Sequence, residues 1–466
     1  MPFVGREEEI KIIKHELSMP KYRGVLLYGR RRVGKSELIA HCLKDESPAR
    51  VISFVGTRSD YFTNLSLLIN SLSFAYKLPL SFDSVEDALS FVFESSKKER
   101  TILVMDEFSY LRDSYPSIDS VLQKLIDSNQ KESDLKLIVS GSLITIMMHL
   151  IDKDAPLYGR FHAIIHLLPL DYLDAAKMLP NRSNEERVFL YSIFGGVPFY
   201  LSLIDEKESG EEALLRLVFS RNSVLEGEVD LLLQGEISKM ENAVRVFSFL
   251  KSGSKSYKDI NAFLSNGKSG NSATYILDKL TSAGLLEKEV AINQKEKRNA
   301  LYRIADPFLR FYYAYVVPNR STFLIASPKM VYEECFKEEI LSKYIPHSFE
   351  NICKEFLIRE NRLGKFKPLF LEFGSLALTY KDKDSGEIYS GEFDVVGRNK
   401  LGYVDFECKY LSSPIDDNVI DDERACAKKL GDPFVDFAFF SKEGYSGKGT
   451  QYKVYSLSDI YAGLDR

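Results

Sequence analysis

The fold of this chain is decided by residues Val25–Leu43, which read VLLYGRRRVGKSELIAHCL. The apolar run at the start predicts a short buried strand, and the last seven residues predict a helix. Between them, GRRRVGKS fits the G-x-x-x-x-G-K-[ST] pattern of a phosphate-binding loop, in the strand–loop–helix context that the pattern requires. The two glycines let backbone N–H groups face a phosphate, and the start of the helix adds a partial positive charge. We expect Lys35 to neutralise the β- and γ-phosphates of a nucleotide and the Ser36 hydroxyl to bind Mg²⁺.

The composition is that of a globular, mildly acidic chain. Its 466 residues suggest about three domains, and a hydrophobic content of 45% is ample for packed cores. A net charge of −5 neither favours nor excludes a nucleic-acid partner. The five cysteines form no C-x-x-C pair, so we expect neither a zinc site nor disulfides. We find no signal-peptide pattern and no apolar run of about 18 residues, which predicts a cytoplasmic protein without a membrane partner.

Residues 1 to 235 alternate between apolar runs and helical patterns. This alternation predicts an α/β fold with a mostly parallel sheet that is covered on both faces. Ligands in such sheets bind at the carboxyl ends of the strands, where the motifs of this chain fall. The five candidate strands are Val25–Tyr28, Val51–Val55, Thr101–Met105, Leu135–Ser140 and Ala163–Leu167.

The segment ILVMDEF at residues 102–108 has the pattern of a Walker B strand, an apolar run that ends in two acids. We expect Asp106 to contact the Mg²⁺ shell and Glu107 to orient or deprotonate the attacking water. The alternative is an ordinary solvated strand end. The position of the segment after a phosphate-binding loop favours the functional interpretation.

Two further motifs carry candidate site residues. KLIVSGS at residues 136–142 is another buried strand that ends in small polar residues, and Ser142 is our candidate for reading the γ-phosphate. A serine there would serve equally well as a helix N-cap. In PLYGRF at residues 156–161, Arg160 is a candidate arginine finger, a cation that completes the charge of the transition state. The alternative is a solvated or salt-bridged arginine.

In this order, the motifs resemble those of the prokaryotic ATPases of the STAND/AAA+ group, the archaeal-type P-loop ATPase family. FVGRE at residues 3–7 is similar to the N-terminal box that frames the adenine, and GGVPFYL at residues 195–201 is similar to the Gly-x-Pro motif of the helical lid. The resemblance implies ATP as the nucleotide, a core at residues 1–169 and a lid at residues 170–240. It strengthens the case for Arg160 and leaves open whether Arg160 acts in cis or in trans. The residues that we expect to bind the nucleotide are Val4, Gly5, Arg6, Gly29, Arg30, Arg31, Arg32, Val33, Gly34, Lys35, Ser36, Glu37, Ser142 and Pro198.

Residues 241–310 predict a basic winged helix-turn-helix domain, with three helical segments followed by two β-like runs. Between residues 243 and 305 the chain carries a charge of +6, while the rest carries −11. Such a basic island is typical of DNA binding. We expect Ser272–Lys279 to be the recognition helix and Lys295–Arg298 the wing. Winged helices also act as interdomain or protein-binding modules, and this alternative stays open.

Residues 311–466 hold a second constellation, with Glu350 on an amphipathic helix, Asp394 on a strand, and Glu407 and Lys409 on the next strand. The order D-x12-E-x-K resembles the PD-(D/E)XK nuclease superfamily. On neighbouring strands, Asp394 and Glu407 could share a Mg²⁺ ion. Lys409, on the same face as Glu407, could orient the attacking water. The alternative is a degenerate domain that binds DNA or a partner.

Together the motifs predict a protein that binds and hydrolyses ATP with Mg²⁺ and whose nucleotide state controls a DNA-binding and DNA-cleaving C-terminal half. The expected catalytic residues are Lys35, Glu107 and Arg160 for ATP and Lys409 for DNA. The expected partners are DNA, a second copy of the chain or another protein. The rival hypothesis is an ATP-gated signalling or regulatory switch with a catalytically silent C-terminal domain. The sequence does not reveal the biological process.

Overall fold

The computed structural model describes residues 3–44, 46, 49–221, 223–236, 240–265, 273–295, 300–381 and 387–464. The chain divides into two compact units, and each is described by itself. The first comprises Met1–Pro169 with Leu231–Ser238, and the second comprises Leu170–Asp230 with Lys239–Arg466. This division does not test the four predicted domains, whose boundaries stay predictions. No helix in the described ranges is long and apolar enough to cross a membrane.

Strands and helices alternate through the first unit. Its elements in chain order are α1 Glu7–Ser18, β1 Arg23–Tyr28, α2 Lys35–Leu43, β2 Arg50–Val55, α3 Tyr61–Tyr76, α4 Val85–Ser95, β3 Thr101–Asp106, α5 Phe108–Ser114, α6 Ile118–Asn129, β4 Leu135–Gly141, α7 Ile144–His149 and β5 Ala163–His166. Each of the five predicted strands is present, with ends shifted by two residues at most.

The five strands form one parallel sheet in the order β2-β3-β4-β1-β5. Strand β4 therefore lies between β1, which leads into the phosphate-binding loop, and β3, which ends at Asp106. Both faces of the sheet are covered. Helices α1 and α2 pack on one face, and helices α3, α4 and α6 pack on the other. The predicted parallel α/β sheet is thus confirmed.

The second unit begins with helices and ends with a mixed sheet. Its helices are α8 Tyr172–Lys177, α9 Asn184–Phe194, α10 Pro198–Ser202, α11 Gly210–Leu214, α12 Glu228–Glu236, α13 Met240–Leu250, α14 Tyr257–Leu264, α15 Thr274–Ser282, α16 Pro307–Phe311, α17 Thr322–Ile325, α18 Pro328–Val331, α19 Lys337–Glu339, α20 Ile345–Arg362, α21 Asp417–Lys429 and α22 Leu457–Tyr461. Helix α12 continues past Asp230 into the segment assigned to the first unit.

Two sheets belong to the second unit. The small sheet is antiparallel, in the order β6-β8-β7, and follows helix α13. The larger sheet has the order β13-β12-β11-β10-β9, in which β9, β10 and β11 are antiparallel and β11, β12 and β13 are parallel. Helix α21 connects the parallel pair β11 and β12. The strands are β6 Lys255–Ser256, β7 Leu286–Glu289, β8 Leu301–Ile304, β9 Glu372–Lys381, β10 Ile388–Asn399, β11 Gly402–Lys409, β12 Phe434–Ser441 and β13 Lys453–Ser456.

A buried carboxylate joins three helices of the second unit. Glu355 on α20 accepts hydrogen bonds from the backbone N–H of Tyr172, at 2.8 Å, and from the Tyr191 hydroxyl on α9, at 2.9 and 3.0 Å. Burial raises the pKa of Glu355 to about 7; these hydrogen bonds and Lys354 oppose the rise, and the charge of Asp171 adds to it. Helices α8, α9 and α20 therefore meet at a group that carries its proton up to neutral pH.

This arrangement predicts a pH-dependent stability that Glu355→Gln removes. Well below pH 4.5 the carboxyl is protonated in both the folded and the unfolded state, so its ionisation does not affect the free energy of unfolding. As the pH rises, the unfolded state ionises first. The proton held in the folded state then costs stability, by about 2 kcal/mol between about pH 5 and pH 8. Urea denaturation at both pH values should show this loss in the wild type and a smaller loss in Glu355→Gln.

Glu360→Gln, on the same helix, is the matched control and should keep the wild-type pH dependence. If the free energy of unfolding depended equally on pH in all three proteins, Glu355 would not be the group responsible.

Candidate functional site

The predicted phosphate-binding loop connects the end of β1 to the start of α2. Gly34 precedes α2 with a φ of 91°, in the left-handed region where glycine has no steric cost. A Cβ atom on Gly29 would overlap the carbonyl oxygen of Leu167. The loop therefore needs a glycine at both positions, one for the turn and one for a close backbone approach. Glu37, in the first turn of α2, has an exposed side chain.

Lys35 is folded against its own loop. Its Nζ donates hydrogen bonds to the carbonyl oxygens of Gly29, at 2.9 Å, and Arg30, at 3.1 Å, and the residue is 6% exposed. Burial lowers the pKa of Lys35, while the nearby carboxylates of Glu107 and Asp106 oppose the shift. A buried ammonium group inside a loop at a helix N-terminus fits a phosphate ligand, because an anion there would compensate the charge.

A hydrogen bond connects the loop to the end of β3. The Ser36 Oγ donates to Asp106 Oδ2 at 2.5 Å. Ser140, at the end of β4, donates to Asp106 Oδ1, and the backbone N–H of Glu107 donates to the same oxygen at 2.9 Å. A hydroxyl and a carboxylate oxygen brought together at this edge are ligands that Mg²⁺ accepts. The sequence interpretation missed Ser140. The signal was available, because parallel strands that end at one edge place their last residues side by side.

Glu107 has a fixed conformation beside Ser142. Its φ of 49° is left-handed, which is uncommon for a residue other than glycine. Its Oε2 accepts hydrogen bonds from the Ser142 Oγ at 2.7 Å and from the Ser142 N–H at 3.3 Å. The N-cap of α7 is Leu143, so Ser142 does not cap that helix. Ser142 instead holds the second acid of β3, and the reading of a γ-phosphate by Ser142 stays a prediction.

The N-terminal box packs against the phosphate-binding loop. Gly5 and Arg6 both have positive φ, and Arg6 Nη2 donates to the carbonyl oxygens of Val33, at 3.3 Å, and Leu168, at 2.6 Å. Phe3 stacks on His41 of α2, with ring centroids 4.3 Å apart. Arg6 thus ties the loop to the segment after β5. Contact of Val4, Gly5 and Arg6 with an adenine stays a prediction.

Arg160 lies away from the loop of its own chain. Its guanidinium forms a two-point ion pair with Asp127 on α6, at 3.0 and 2.6 Å. His162 exchanges hydrogen bonds with Gly24, near the amino end of β1. At about 3.3 Å per residue, Gly24 and Gly29 are roughly 16 Å apart along the strand. In this conformation Arg160 therefore lies away from the nucleotide loop of its own chain. A role of Arg160 as an arginine finger, in cis or in trans, stays a prediction.

Pro198 begins α10 in the second unit and is preceded by Val197 as the N-cap. Its fixed φ suits the first turn of a helix. The nearby Gly195 has a φ of 61°, and a Cβ at Gly196 would overlap the carbonyl oxygen of Leu170. These contacts explain the Gly-Gly-x-Pro sequence by packing within the second unit. The expected contact of Pro198 with a nucleotide stays a prediction.

In the second unit, Glu407 and Lys409 lie on β11 and contact helix α21. Lys409 Nζ lies 2.9 Å from Glu407 Oε1 and 2.6 Å from Glu423 Oε1. Burial lowers the pKa of Lys409, but these two carboxylates outweigh burial and raise that pKa well above its ordinary value. Glu423, which the sequence interpretation missed, therefore shares the lysine with the predicted E-x-K motif.

Asp394 is close to this pair. β10 pairs with β11 up to Val396, which lies opposite Asp405, and Asp394 follows in an irregular stretch of β10 between Phe393 and Val396. Loss of water and the charges of Glu350, Glu392 and Glu407 raise the pKa of Asp394 to about 6, while His347 opposes the rise. The predicted carboxylates therefore lie in one electrostatic cluster.

Asp405 joins the cluster from the same strand face as Glu407. It is 2% exposed, and burial followed by the charges of Glu407 and Glu423 raises its pKa well above the ordinary value. Its two-residue spacing from Glu407 was a signal that the sequence interpretation did not use. Glu350 on α20 pairs with His347 at 2.9 Å. In the described ranges, no three His, Cys, Asp or Glu side chains are arranged to hold a metal ion by themselves.

The predicted wing region contacts the larger sheet. Ile292 N–H donates to Ser375 O at 2.8 Å, and the Asn293 side chain bonds the backbone of Ala377 on the edge strand β9. Ser272, at the start of the predicted recognition helix, and residues 296–298 of the predicted wing lie outside the described residues. The connection between β7 and β8 therefore packs against the larger sheet of the same unit, and the winged helix-turn-helix stays a prediction.

Comparison with known proteins agrees with the geometry of the first unit. Residues 3–204 match a family described as an ATPase domain found predominantly in Archaea, and residues 312–419 match a family of archaeal and bacterial proteins of unknown function. An uncharacterized protein of Methanocaldococcus jannaschii is 27% identical over 378 residues, which cover 80% of this chain and 81% of the relative.

Two solved structures are similar to this chain. A Walker-type ATPase of Pyrococcus abyssi superposes with a TM-score of 0.50 at 18% identity, covering 67% of this chain and 96% of that protein. The ORC2 protein of Aeropyrum pernix superposes with a TM-score of 0.47 at 13% identity, covering 70% and 96%. The family match and the loop geometry support an archaeal-type P-loop ATPase domain at residues 3–204.

Proposed function

We propose that this protein hydrolyses ATP with Mg²⁺ in its first unit and acts on DNA through its second unit. The observation that carries the first part is the bond between Ser36 and Asp106, formed beside the buried ammonium group of Lys35. The loop, the cation and the hydroxyl–carboxylate pair supply what a nucleotide triphosphate and its metal need. The match of residues 3–204 to an ATPase domain family supports the same conclusion.

Each residue then has a distinct part in ATP hydrolysis. Lys35 leaves its two carbonyl partners and neutralises phosphate charge, and Ser36 and Asp106 would hold Mg²⁺. When bound, Mg²⁺ neutralises the charge of the phosphates and helps to orient them. Glu107 orients the attacking water and accepts its proton, while Ser142 keeps the Glu107 carboxylate in place.

Two substitutions test this assignment. Lys35→Ala should lower ATP turnover by about 100-fold or more, because it removes charge stabilisation at the phosphates. Ser142→Ala should lower turnover by about 10-fold and leave ATP affinity nearly unchanged, because it only releases Glu107. Phosphate release assays and calorimetric ATP titrations measure both quantities.

Ser128→Ala is the matched control, since Ser128 is an exposed serine on α6 whose hydroxyl bonds only its own helix. It should behave as the wild type. Normal turnover in Lys35→Ala would overturn the assignment of the site.

The second part of the proposal concerns DNA. The carboxyl groups of Asp394, Asp405 and Glu407 lie in one cluster with Lys409, and a bound Mg²⁺ would favour their ionised forms, as a Mg²⁺-dependent phosphodiesterase requires. Mg²⁺ in such a site would take its remaining ligands from the DNA phosphate and water. The basic segment at residues 243–305 offers phosphate contacts for a DNA partner. We propose that ATP turnover controls this half of the protein.

Incubation with supercoiled plasmid and Mg²⁺ tests the nuclease. The wild type should convert the plasmid to nicked or linear DNA, and Asp394→Ala and Lys409→Ala should lose this activity by about 100-fold or more. Glu338→Gln, an exposed acid on α19 away from the carboxylate cluster, should retain it.

Lys35→Ala in the same assay shows whether nucleotide turnover controls cleavage. If the wild type leaves the plasmid intact with and without ATP, the nuclease proposal is wrong. DNA binding without cleavage would then favour the second candidate, an ATP-gated switch with a silent C-terminal domain. The observation that favours this candidate is the contact of Asn293 with β9, because it engages the predicted winged-helix region in packing within the protein.

A further inference from the structure

Arg31, the third residue of the phosphate-binding loop, has a defined partner. Its Nη2 donates a hydrogen bond to the Tyr110 hydroxyl at 2.9 Å. Tyr110 lies in the first turn of α5, and its N–H donates to the carbonyl oxygen of Glu107 at 3.0 Å. One helical turn therefore carries both the acid expected to orient water and the hydroxyl that holds Arg31.

The charge of Arg31 acts on Lys35 of the same loop. It is one of the charges that shift the pKa of Lys35 downward, so the guanidinium and the ammonium group repel one another across the loop. Among the described residues, Arg31 forms no ion pair with a carboxylate. Two neighbouring cations are stabilised when a phosphate group lies between them.

Arg160 cannot supply this charge within one chain. It lies at the amino end of the sheet in a two-point ion pair with Asp127. Arg31 lies at the opposite edge, on the loop that contains Lys35.

We propose that Arg31 stabilises the charge that develops on the terminal phosphoryl group of ATP, and that Tyr110 is the positioning residue that holds its guanidinium ready. The inference rests on the proposed ATP hydrolysis. A guanidinium has five donors in a planar fork, so one bond to Tyr110 leaves others for the phosphoryl oxygens.

Each group in the reaction step has a stated role. The water oxygen forms a bond to the terminal phosphorus, and its proton passes to the Glu107 carboxylate. The bond from that phosphorus to the β,γ-bridging oxygen breaks, and its electron pair stays on ADP. Negative charge on the transferring oxygens is greatest part-way through this exchange, which is when a second cation contributes most.

A transition-state analogue tests the proposal by binding rather than turnover. ADP would be titrated by calorimetry with Mg²⁺, with and without aluminium fluoride. In the wild type, aluminium fluoride should tighten ADP binding by about 100-fold or more. Arg31→Ala should lose most of this tightening, while its affinity for ADP alone changes by about threefold at most.

The conservative variants separate charge from position. Arg31→Lys should retain part of the tightening, because it keeps the charge and loses the planar fork. Tyr110→Phe should lower the tightening by about 3–10-fold and leave ADP binding unchanged, because it removes only the hydroxyl that fixes the guanidinium. Arg58→Ala, an exposed arginine of the first unit, should match the wild type.

The outcomes distinguish this inference from the proposed function. Full tightening in Arg31→Ala would overturn the role of Arg31. Loss of tightening in Arg160→Ala alone would transfer the role to a neighbouring subunit and likewise overturn it. If the wild type bound neither ADP nor ATP, the proposed function itself would be wrong.

Discussion

The hydrogen bond between Ser36 and Asp106 connects two strands that are not neighbours. Strand β4 lies between β1 and β3, so the loop after β1 meets the end of β3 only because all three strands are parallel and end at one edge. Ser140 completes the connection from β4. The chemistry of the site thus depends on the parallel direction of the strands. A sheet in which β1 ran antiparallel to β3 would place the hydroxyl and the carboxylate at opposite edges.

The acids of this edge are held by hydrogen bonds from the protein itself. Asp106 accepts bonds from Ser36, Ser140 and the backbone of Glu107, and Ser142 holds Glu107. Preorganised polar groups of this kind stabilise a reacting charge without reorganisation. In the second unit, Glu355 shows the opposite situation. Loss of water raises the pKa of its half-buried carboxyl to about 7, and this group joins three helices.

The parallel sheet was predictable from the sequence because each strand is an apolar run bounded by helical patterns and turn residues. The positions of Ser36, Asp106 and Glu107 at one edge followed from the same pattern. Ser140 was missed because its role depends on a neighbouring strand rather than on its own segment. The location of Arg160 was not predictable, since a short element after a strand does not reveal which edge of the sheet it reaches.

The second unit shows the same limit more clearly. The strands that carry Asp394 and Glu407 were recognisable from local patterns, whereas the contacts of Lys409 with Glu423 and of Asn293 with β9 join segments that are distant in sequence. Such contacts depend on packing between elements, which hydrophobic periodicity does not specify. For this reason the sequence predicted Asp394, Glu407 and Lys409 as members of the carboxylate cluster but did not predict Asp405 and Glu423.

The central claim is that the loop and the end of β3 form one site for ATP and Mg²⁺. Calorimetric titration of ATP into the wild type and Ser36→Ala, each with Mg²⁺ or with EDTA, tests it most directly. The wild type should bind ATP more tightly with Mg²⁺, and Ser36→Ala should lose most of that difference because the metal loses its hydroxyl ligand. A Mg²⁺ effect of the same size in both proteins, or no binding of ATP by the wild type, would contradict the account.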